Sequence, residues 1–239
     1  MQRDKLDQFI QKYALGGMVN SAKWSCSSNI LSTSFITPDK NLLGKVTVNN
    51  FDFNDCEFGV YSTDQLQKLL GVLGDNIDLS ITDFNGKPTA IKVKNGSISF
   101  DYVLADPAVI PEVNDLKRIP EFETKIKLDT KFIFTFIKGK TALSEADTFS
   151  ILDNDGKIEV VIGYSSINTN RITIPVESES SGLKDIISFN ADLFKEILTA
   201  NKECTTAVLE VSNDGLARIV FNINDFKSVY YLVATQGVD

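Results

Sequence analysis

Four segments of the chain carry apolar residues at the spacing of an amphipathic helix. In each, large apolar side chains recur every three or four residues, and polar residues fill the opposite face. The predicted helices cover residues 3–15, 63–73, 131–138 and 191–200. Side chains able to accept hydrogen bonds from the first free amides precede three of them. The predicted N-caps are Ser62 or Thr63, Asp129 or Thr130, and Asn190.

Between these segments, apolar and polar residues alternate with a period of two, as in strands with one buried face. The predicted strand regions are 45–54, 81–93, 97–105, 150–164, 171–177, 207–223 and 227–234. Three Asn-Gly or Asp-Gly pairs predict tight hairpins, because both turn positions tolerate a positive φ. These pairs are Asn85-Gly86, Asp155-Gly156 and Asp214-Gly215. The pattern predicts an α+β fold that is dominated by antiparallel sheet.

One segment, KFIFTFIK at 131–138, fits two patterns. Its alternating aromatic and β-branched residues favour a strand. Counted at helical spacing, however, Lys131, Thr135 and Lys138 stand at i, i+4 and i+7 and share one helix face. Lysine pairs seven residues apart also occur in KLDQFIQK (5–12) and KEILTANK (195–202). The recurrence favours a helix, and a strand at this position would contradict the fourfold pattern.

The elements recur along the chain. The helices begin near residues 3, 63, 130 and 191, and hairpin-forming strands follow each one. Segment 106–123 interrupts this recurrence with three of the six prolines, which indicates an extended connector between two halves. The predicted organisation is an N-terminal domain at 1–105, a connector at 106–122 and a C-terminal domain at 123–239, with two helices and roughly eight or nine strands in each half.

The histidine and cysteine content of the chain limits which classes of protein function are plausible. The chain has no histidine, which removes the commonest general base and metal ligand. Cys26, Cys56 and Cys204 are odd in number and widely spaced, so the sequence indicates neither a disulfide framework nor a CxxC metal site. We therefore expect no enzymatic activity, no cofactor and no metal. Neither a signal peptide nor a run of the ~18 apolar residues of a membrane helix occurs, so we expect a cytoplasmic protein without a membrane partner, in the host cytoplasm if viral.

The formal net charge of −8 bears on any nucleic-acid partner. A protein that wraps nucleic acid over its whole surface would be basic, so contact here requires a local basic patch on an acidic body. Lysines seven residues apart project from one helix face, because seven residues make two turns. A single exposed pair is usually ordinary solvated surface. Its recurrence in three helices favours a shared purpose.

The whole chain resembles the sliding clamps of DNA polymerases, most closely those of T-even-type bacteriophages, and is similar to proliferating cell nuclear antigen. The resemblance runs through the order of elements from end to end. It is sharpest in VYSTDQLQKLLGVLGDN (60–76), SFDYVLADPAVIP (99–111), ETKIKLDTKF (123–132) and FKSVYYLVA (226–234). It implies a two-domain protomer with antiparallel sheets outside and four short helices on the inner face. Three such protomers would form a ring that encircles duplex DNA and acts as a processivity factor.

The resemblance also implies partners and sites. The expected partners are double-stranded DNA bound without sequence preference, a DNA polymerase, a clamp loader, late-transcription factors and two further copies of the chain. The lysines expected to face DNA are Lys5, Lys12, Lys68, Lys131, Lys138, Lys195 and Lys202. A partner-peptide pocket is expected at Val109, Ile110, Pro111, Tyr231, Val233 and Ala234. These apolar residues could equally serve only to hold the connector on a sheet.

Two other classes of protein remain as alternatives. A β-rich viral structural or adaptor protein, whose helices only cover a sheet, would form a different oligomer and would not be retained on DNA. A histidine-free hydrolase would need clustered carboxylates beside an apolar pocket, which the sequence does not show. The stretch LDNDG (152–156) resembles the start of a calcium loop, but Tyr164 occupies the position of the required glutamate, so a hairpin turn is predicted.

Overall fold

The structure is a computed structural model of the chain, and it describes residues 1–51, 53–114, 116–167, 169–180 and 182–235. These residues form two compact units. The first comprises 1–37 and 44–114, and the second comprises 38–43 and 115–239. The units divide after Asn114, within the predicted connector. Residue 52 of the predicted strand 45–54 lies outside the described residues.

The first unit contains two helices and two groups of paired strands. In chain order its elements are α1 (Arg3–Ala14), β1 (Ala22–Ser27), β2 (Ile30–Ile36), β3 (Leu42–Val48), β4 (Cys56–Val60), α2 (Thr63–Leu70), β5 (Asp78–Phe84), β6 (Lys87–Asn95) and β7 (Ile98–Val103). Strands β3, β2, β1 and β4 are neighbours in that order, and β5, β6 and β7 form a three-stranded antiparallel sheet.

The second unit repeats this composition with more strands. Its elements are β8 (Thr124–Asp129), α3 (Thr130–Ala142), β9 (Thr148–Asn154), β10 (Lys157–Ile162), β11 (Ile172–Pro175), β12 (Ser178–Ser180), β13 (Ile187–Asn190), α4 (Ala191–Ala200), β14 (Thr206–Val211), β15 (Leu216–Ile223) and β16 (Phe226–Val233). Strands β12, β8, β14, β15 and β16 are neighbours in one sheet, and β11, β10, β9 and β13 form another.

Aromatic side chains from α1 join the sheet core of the first unit. Trp24 of β1 is buried, and its ring meets that of Phe9 edge to face with 5.1 Å between centroids. Tyr13 and Phe58 complete the contacts around the indole. Edge-to-face aromatic pairs stabilise the fold beyond the contribution of buried apolar surface, so this cluster holds α1 on the sheet.

An equivalent cluster holds both helices of the second unit on their sheet. Phe136 of α3 lies edge to face against Phe194 of α4 at 4.7 Å between centroids. Phe149 of β9 stacks on Phe194 at 4.6 Å. Each of these three side chains is fully buried. The apolar residues of KFIFTFIK therefore fill a helix–sheet core, and the helical prediction for that segment is confirmed.

The helix α3 is longer than predicted because Gly139 does not end it. Gly139 is buried in the helix, where a Cβ would lie 3.1 Å from Ile162 and 3.2 Å from Ile172. The glycine thus permits close packing of the helix on the strands β10 and β11. Phe134 lies on the outer face of α3 and is 44% exposed.

The predicted caps of α3 and α4 are confirmed, whereas that of α2 is wrong. Asp129 accepts a hydrogen bond from the Phe132 amide at 2.7 Å, and Asn190 accepts one at 2.8 Å from the Leu193 amide. Ser62 makes no side-chain cap. Asn20 replaces it in α2, because its carbonyl oxygen and Oδ1 accept from the amides of Thr63 (2.8 Å) and Asp64 (3.1 Å).

Hairpins occur at Asn85 and Asp155, whose φ values of 52° and 51° are those of the predicted turns. At Asp214-Gly215 only the glycine adopts a positive φ, within a longer loop. Pattern reading missed strands β1, β2, β4, β8, β12 and β13. The β1–β2 turn uses Ser28 and Asn29, both at positive φ without a glycine, so it lacked the signal that marks the other hairpins. None of the described helices is both long enough and apolar enough to cross a membrane.

Candidate nucleic-acid interface

The outer face of α3 carries the clearest basic surface. Lys131, Phe134, Thr135 and Lys138 are all exposed, at the i, i+3, i+4 and i+7 spacing of one helix side. The opposite side of α3 is buried in the aromatic core. Within the described part of the chain, neither lysine has an ion-pair partner. Two ammonium groups without an ion pair therefore lie two turns apart, with the neutral side chains of Phe134 and Thr135 between them on the same helix side.

The structure corrects the prediction for α1. The Lys12 side chain is completely buried, so Lys12 does not face a ligand. Lys5 is half-buried, and its Nζ donates to the carbonyl oxygens of Asn49 (2.8 Å) and Asn50 (3.1 Å). The two lysines therefore do not form an exposed basic face, because other segments of the first unit cover α1 beyond its apolar side. The face left exposed carries Asp4, Gln8 and Gln11.

The remaining candidate lysines differ in how their charge is compensated. Lys68 of α2 is exposed but forms an ion pair with Asp64 at 2.6 Å, one turn earlier. Lys195 of α4 is half-buried and lies 3.5 Å from the carboxylate of its neighbour Glu196. Lys202 is exposed in the turn after α4, since the helix ends at Ala200. Only the α3 pair therefore combines helical spacing, exposure and uncompensated charge.

Pattern reading overlooked Lys140, a buried structural lysine on α3. Its Nζ lies 2.9 Å from Oδ1 of Asp192 and donates to the Ser144 carbonyl oxygen at 2.9 Å. The contacts join the end of α3 to the start of α4. Nine residues of helix turn through half a revolution relative to Lys131, so the spacing itself places Lys140 on the core side.

Replacing Lys140 with alanine should lower the free energy of unfolding by about 1–2 kcal/mol. The change leaves the Asp192 carboxylate and the Ser144 carbonyl without their donor, and the partial exposure of Asp192 limits the loss. Urea unfolding followed by circular dichroism measures it. Lys138→Ala, two residues away and exposed, is the matched control and should change stability by less than about 0.5 kcal/mol. Equal losses in both variants would contradict a structural role for Lys140.

The residues of the expected peptide pocket are described within their own units. In the first unit, Val109 is 63% exposed and Pro111 is exposed, whereas Ile110 is buried against Gly59. Ile110 thus holds the chain on β4, where Ala105 and Gly59 also exchange two backbone hydrogen bonds. This arrangement agrees with the alternative that connector residues serve packing. The exposed Val109 and Pro111 remain candidates for contact with a partner.

In the second unit, the three remaining pocket candidates lie at the end of β16. Tyr231 and Ala234 are half-buried, and Val233 is 44% exposed. The Val233 amide donates to the carbonyl oxygen of Asn41 at 2.9 Å. The backbone here is therefore held in place, while the Val233 side chain remains accessible.

No protein-family model and no curated protein matches the chain. Solved structures do match it along its length. A proliferating cellular nuclear antigen from Entamoeba histolytica aligns with a TM-score of 0.74 at 15% identity, covering 98% of this chain and 96% of that chain. The A. fulgidus PCNA, solved with the C-terminal region of FEN-1 bound, aligns with a TM-score of 0.75 at 16% identity, covering 100% and 98%. The chain therefore has the α+β fold of the PCNA-like sliding clamps.

Proposed function

We propose that the protein is a DNA polymerase processivity factor, a sliding clamp of the T-even bacteriophage type. The observation that carries this proposal is the exposed lysine pair of α3, in a chain whose net charge is −8 and whose fold is that of a sliding clamp. A chain with this net negative charge does not need exposed lysines on α3 to stay in solution. A local cationic face suits a partner that is itself a polyanion.

The chemistry of the α3 face fits sliding better than sequence recognition. Lysine ammonium groups attract phosphates without regard to base sequence, and this attraction weakens as salt rises. Thr135, between the two lysines, can add a hydrogen bond to a phosphate oxygen. Side chains that read base edges would stop the protein at particular sites. Retention would then come from encirclement, so that each individual contact can stay weak.

Ring closure requires surfaces that join copies of the chain. Strand β7 has β6 as its neighbour and lies at the edge of its sheet, and β11 lies at the edge of another sheet beside β10. Edge strands carry unpaired backbone groups on their outer side. We propose that these two edges pair head to tail between copies. Three copies would then close a ring.

The proposed protein partners are the replicative polymerase, a clamp loader and factors for late transcription. The structure of the A. fulgidus clamp contains the C-terminal region of FEN-1, so a terminal peptide is one form that such a partner takes there. For this chain we propose that partner tails contact the exposed side chains of Val109 and Val233. Their apolar character suits the large apolar side chains of a docking peptide.

A cut-circle experiment tests the proposal. The protein is loaded by its clamp loader onto a nicked circular plasmid and passed through a sizing column at moderate salt. It should co-elute with the circle and be lost after a restriction enzyme linearises the DNA, because a ring can slide off an end. Blocking both ends with bound streptavidin should restore retention.

Two results would contradict the clamp. Equal retention on circular and open linear DNA would indicate ordinary binding rather than encirclement. Absence from all three DNA forms would favour the alternative of a structural or adaptor protein.

A further inference from the structure

A large open cleft lies in the first unit, whereas the lysine face of α3 belongs to the second. It measures about 1040 Å³ and is bounded by the segment that leads into β4, by the distal half of the β5–β6 hairpin and by the end of β7. The apolar residues that line it are Phe53, Leu79, Ile81, Val103 and Leu104. None of the residues expected in the peptide pocket lines this cleft.

The apolar wall of the cleft is uncovered within the described chain. Leu79 and Ile81 alternate along β5 and are only half-buried, and Val103 on β7 is 77% exposed. Phe84, at the tip of the same hairpin but outside the cleft lining, is also 71% exposed. A soluble chain gains no stability from apolar side chains left in water, and such a patch with a polar rim is typical of a binding surface.

The outer edge of β4 borders the cleft on one side, and residues of β5, β6 and β7 line it on the other. Strand β4 lies at the end of its sheet beside β1, and β5 lies at the end of its own sheet beside β6. On its outer edge β4 pairs, among the described residues, with Ala105 at Gly59 alone. At Cys56 and Glu57 no described strand pairs with that edge. Unpaired edges accept an extended peptide as an added strand, whose side chains then point alternately to opposite sides.

The rim of the cleft is acidic. It carries the carboxylates of Asp55, Glu57, Asp83 and Asp106 against a single lysine, Lys87. Asp55 and Asp106 accept backbone amides at 2.9 Å, and Glu57 lies 3.5 Å from Lys23. Within the described chain Asp83 forms no ion pair, and it is exposed at the β5 bulge. The charge excess favours cationic side chains in whatever fills the cleft.

We infer that this cleft docks an extended basic peptide of a partner protein, in which arginine or lysine alternates with large apolar residues. The apolar side chains would cover Ile81 and Val103, and the cationic ones would meet the acidic rim. This second docking site goes beyond the proposed clamp function and does not depend on ring closure. A partner could therefore bind here as well as through the surfaces proposed for polymerase tails.

A fluorescein-labelled heptapeptide that alternates arginine with leucine serves as the probe, followed by fluorescence anisotropy. Asp83→Lys should weaken its binding about tenfold or more, because it removes one attraction and adds a repulsion. The matched control is Asp78→Lys, an equal charge change at an exposed β5 residue outside the cleft, which should alter affinity less than about twofold. A peptide with glutamate in place of arginine should not bind. Equal weakening by the two variants would overturn the proposal, since it would indicate attraction to the acidic body alone.

Cys56 offers a native reporter because it lines the cleft and is half-buried, whereas Cys26 and Cys204 are buried. Burial raises the pKa of the Cys26 thiol to about 12, and burial also raises the pKa of Cys56, so alkylation is run at about pH 9. The arginine–leucine peptide should slow alkylation of Cys56 by N-ethylmaleimide. Protection that instead rises with protein concentration in the absence of peptide would show a second copy in the cleft and overturn the proposal.

The cut-circle experiment separates this proposal from the clamp function. The Asp83→Lys protein should still be retained on circular DNA, because the change leaves the lysine pair of α3 intact and lies in the other unit. If the cut-circle experiment shows that the protein is not a clamp, the peptide measurements still test whether the cleft binds a basic peptide.

Discussion

Replacing Phe136 with alanine should lower the free energy of unfolding by about 3–5 kcal/mol, the cost typical of truncating a fully buried phenylalanine. Phe136 contacts Phe132, Phe149 and Phe194, so its removal leaves a cavity where both helices meet the sheet. Urea unfolding followed by far-ultraviolet circular dichroism gives the size of the loss. Trp24, the only tryptophan, reports the first unit by fluorescence in the same samples.

Phe134→Ala is the matched control for this prediction. It removes the same side chain from the same helix, at a residue that is 44% exposed, and should cost less than about 1 kcal/mol. A strand at 131–138 would place Phe132, Phe134 and Phe136 on one face, and the three substitutions would then have similar costs. Equal losses for Phe134 and Phe136 would therefore contradict the helix.

Replacing Lys131 and Lys138 together with alanine should strongly reduce affinity for duplex DNA. Each lysine that contacts a phosphate contributes about one unit to the slope of log affinity against log salt, so the double variant should show a shallower slope. Because the lost interaction is electrostatic, the ratio of wild-type to variant affinity should be largest at low salt. Anisotropy with a labelled duplex at several salt concentrations measures the slope, and primer extension with the polymerase measures processivity.

The control for the lysine pair is Lys125→Ala with Lys157→Ala. These two exposed lysines lie in the same unit on β8 and at the start of β10, and their removal changes net charge by the same amount. The control should keep the wild-type slope. If both double variants lost the same affinity, overall charge rather than the α3 face would govern DNA binding. Neither variant should unfold, since all four side chains are exposed.

The fold could be predicted from the sequence where local signals agree with packing. Helix α4 begins and ends at the predicted residues, because Asn190 caps it and its apolar residues follow a clean helical period. The Asn-Gly and Asp-Gly pairs at residues 85 and 155 likewise predicted the hairpins that the structure contains. The turn at Ser28 and Asn29 contains no glycine, so the sequence pattern does not predict the hairpin of β1 and β2.

The candidate site was less predictable, because exposure depends on contacts between distant segments. Spacing alone made Lys12 equivalent to Lys138, yet Lys12 is enclosed by the first unit and Lys138 is exposed. Whether a helix is covered on one side or on two is decided by loops such as that of Asn49 and Asn50, which no local pattern encodes. The acidic cleft likewise arises from three segments separated in sequence, and no single motif marks it.

The start of helix α2 has a consequence for the order in which the first unit folds. An isolated eight-residue helix is unstable in water, and α2 lacks a cap from its own segment. Its first amides are bound by Asn20, and the Tyr102 hydroxyl bonds both the amide and the carbonyl of Ser62. These partners lie forty or more residues away, so their contacts form only after long loops close. Amide protection in α2 should therefore arise late in refolding, after that of the neighbouring hairpin of β5 and β6.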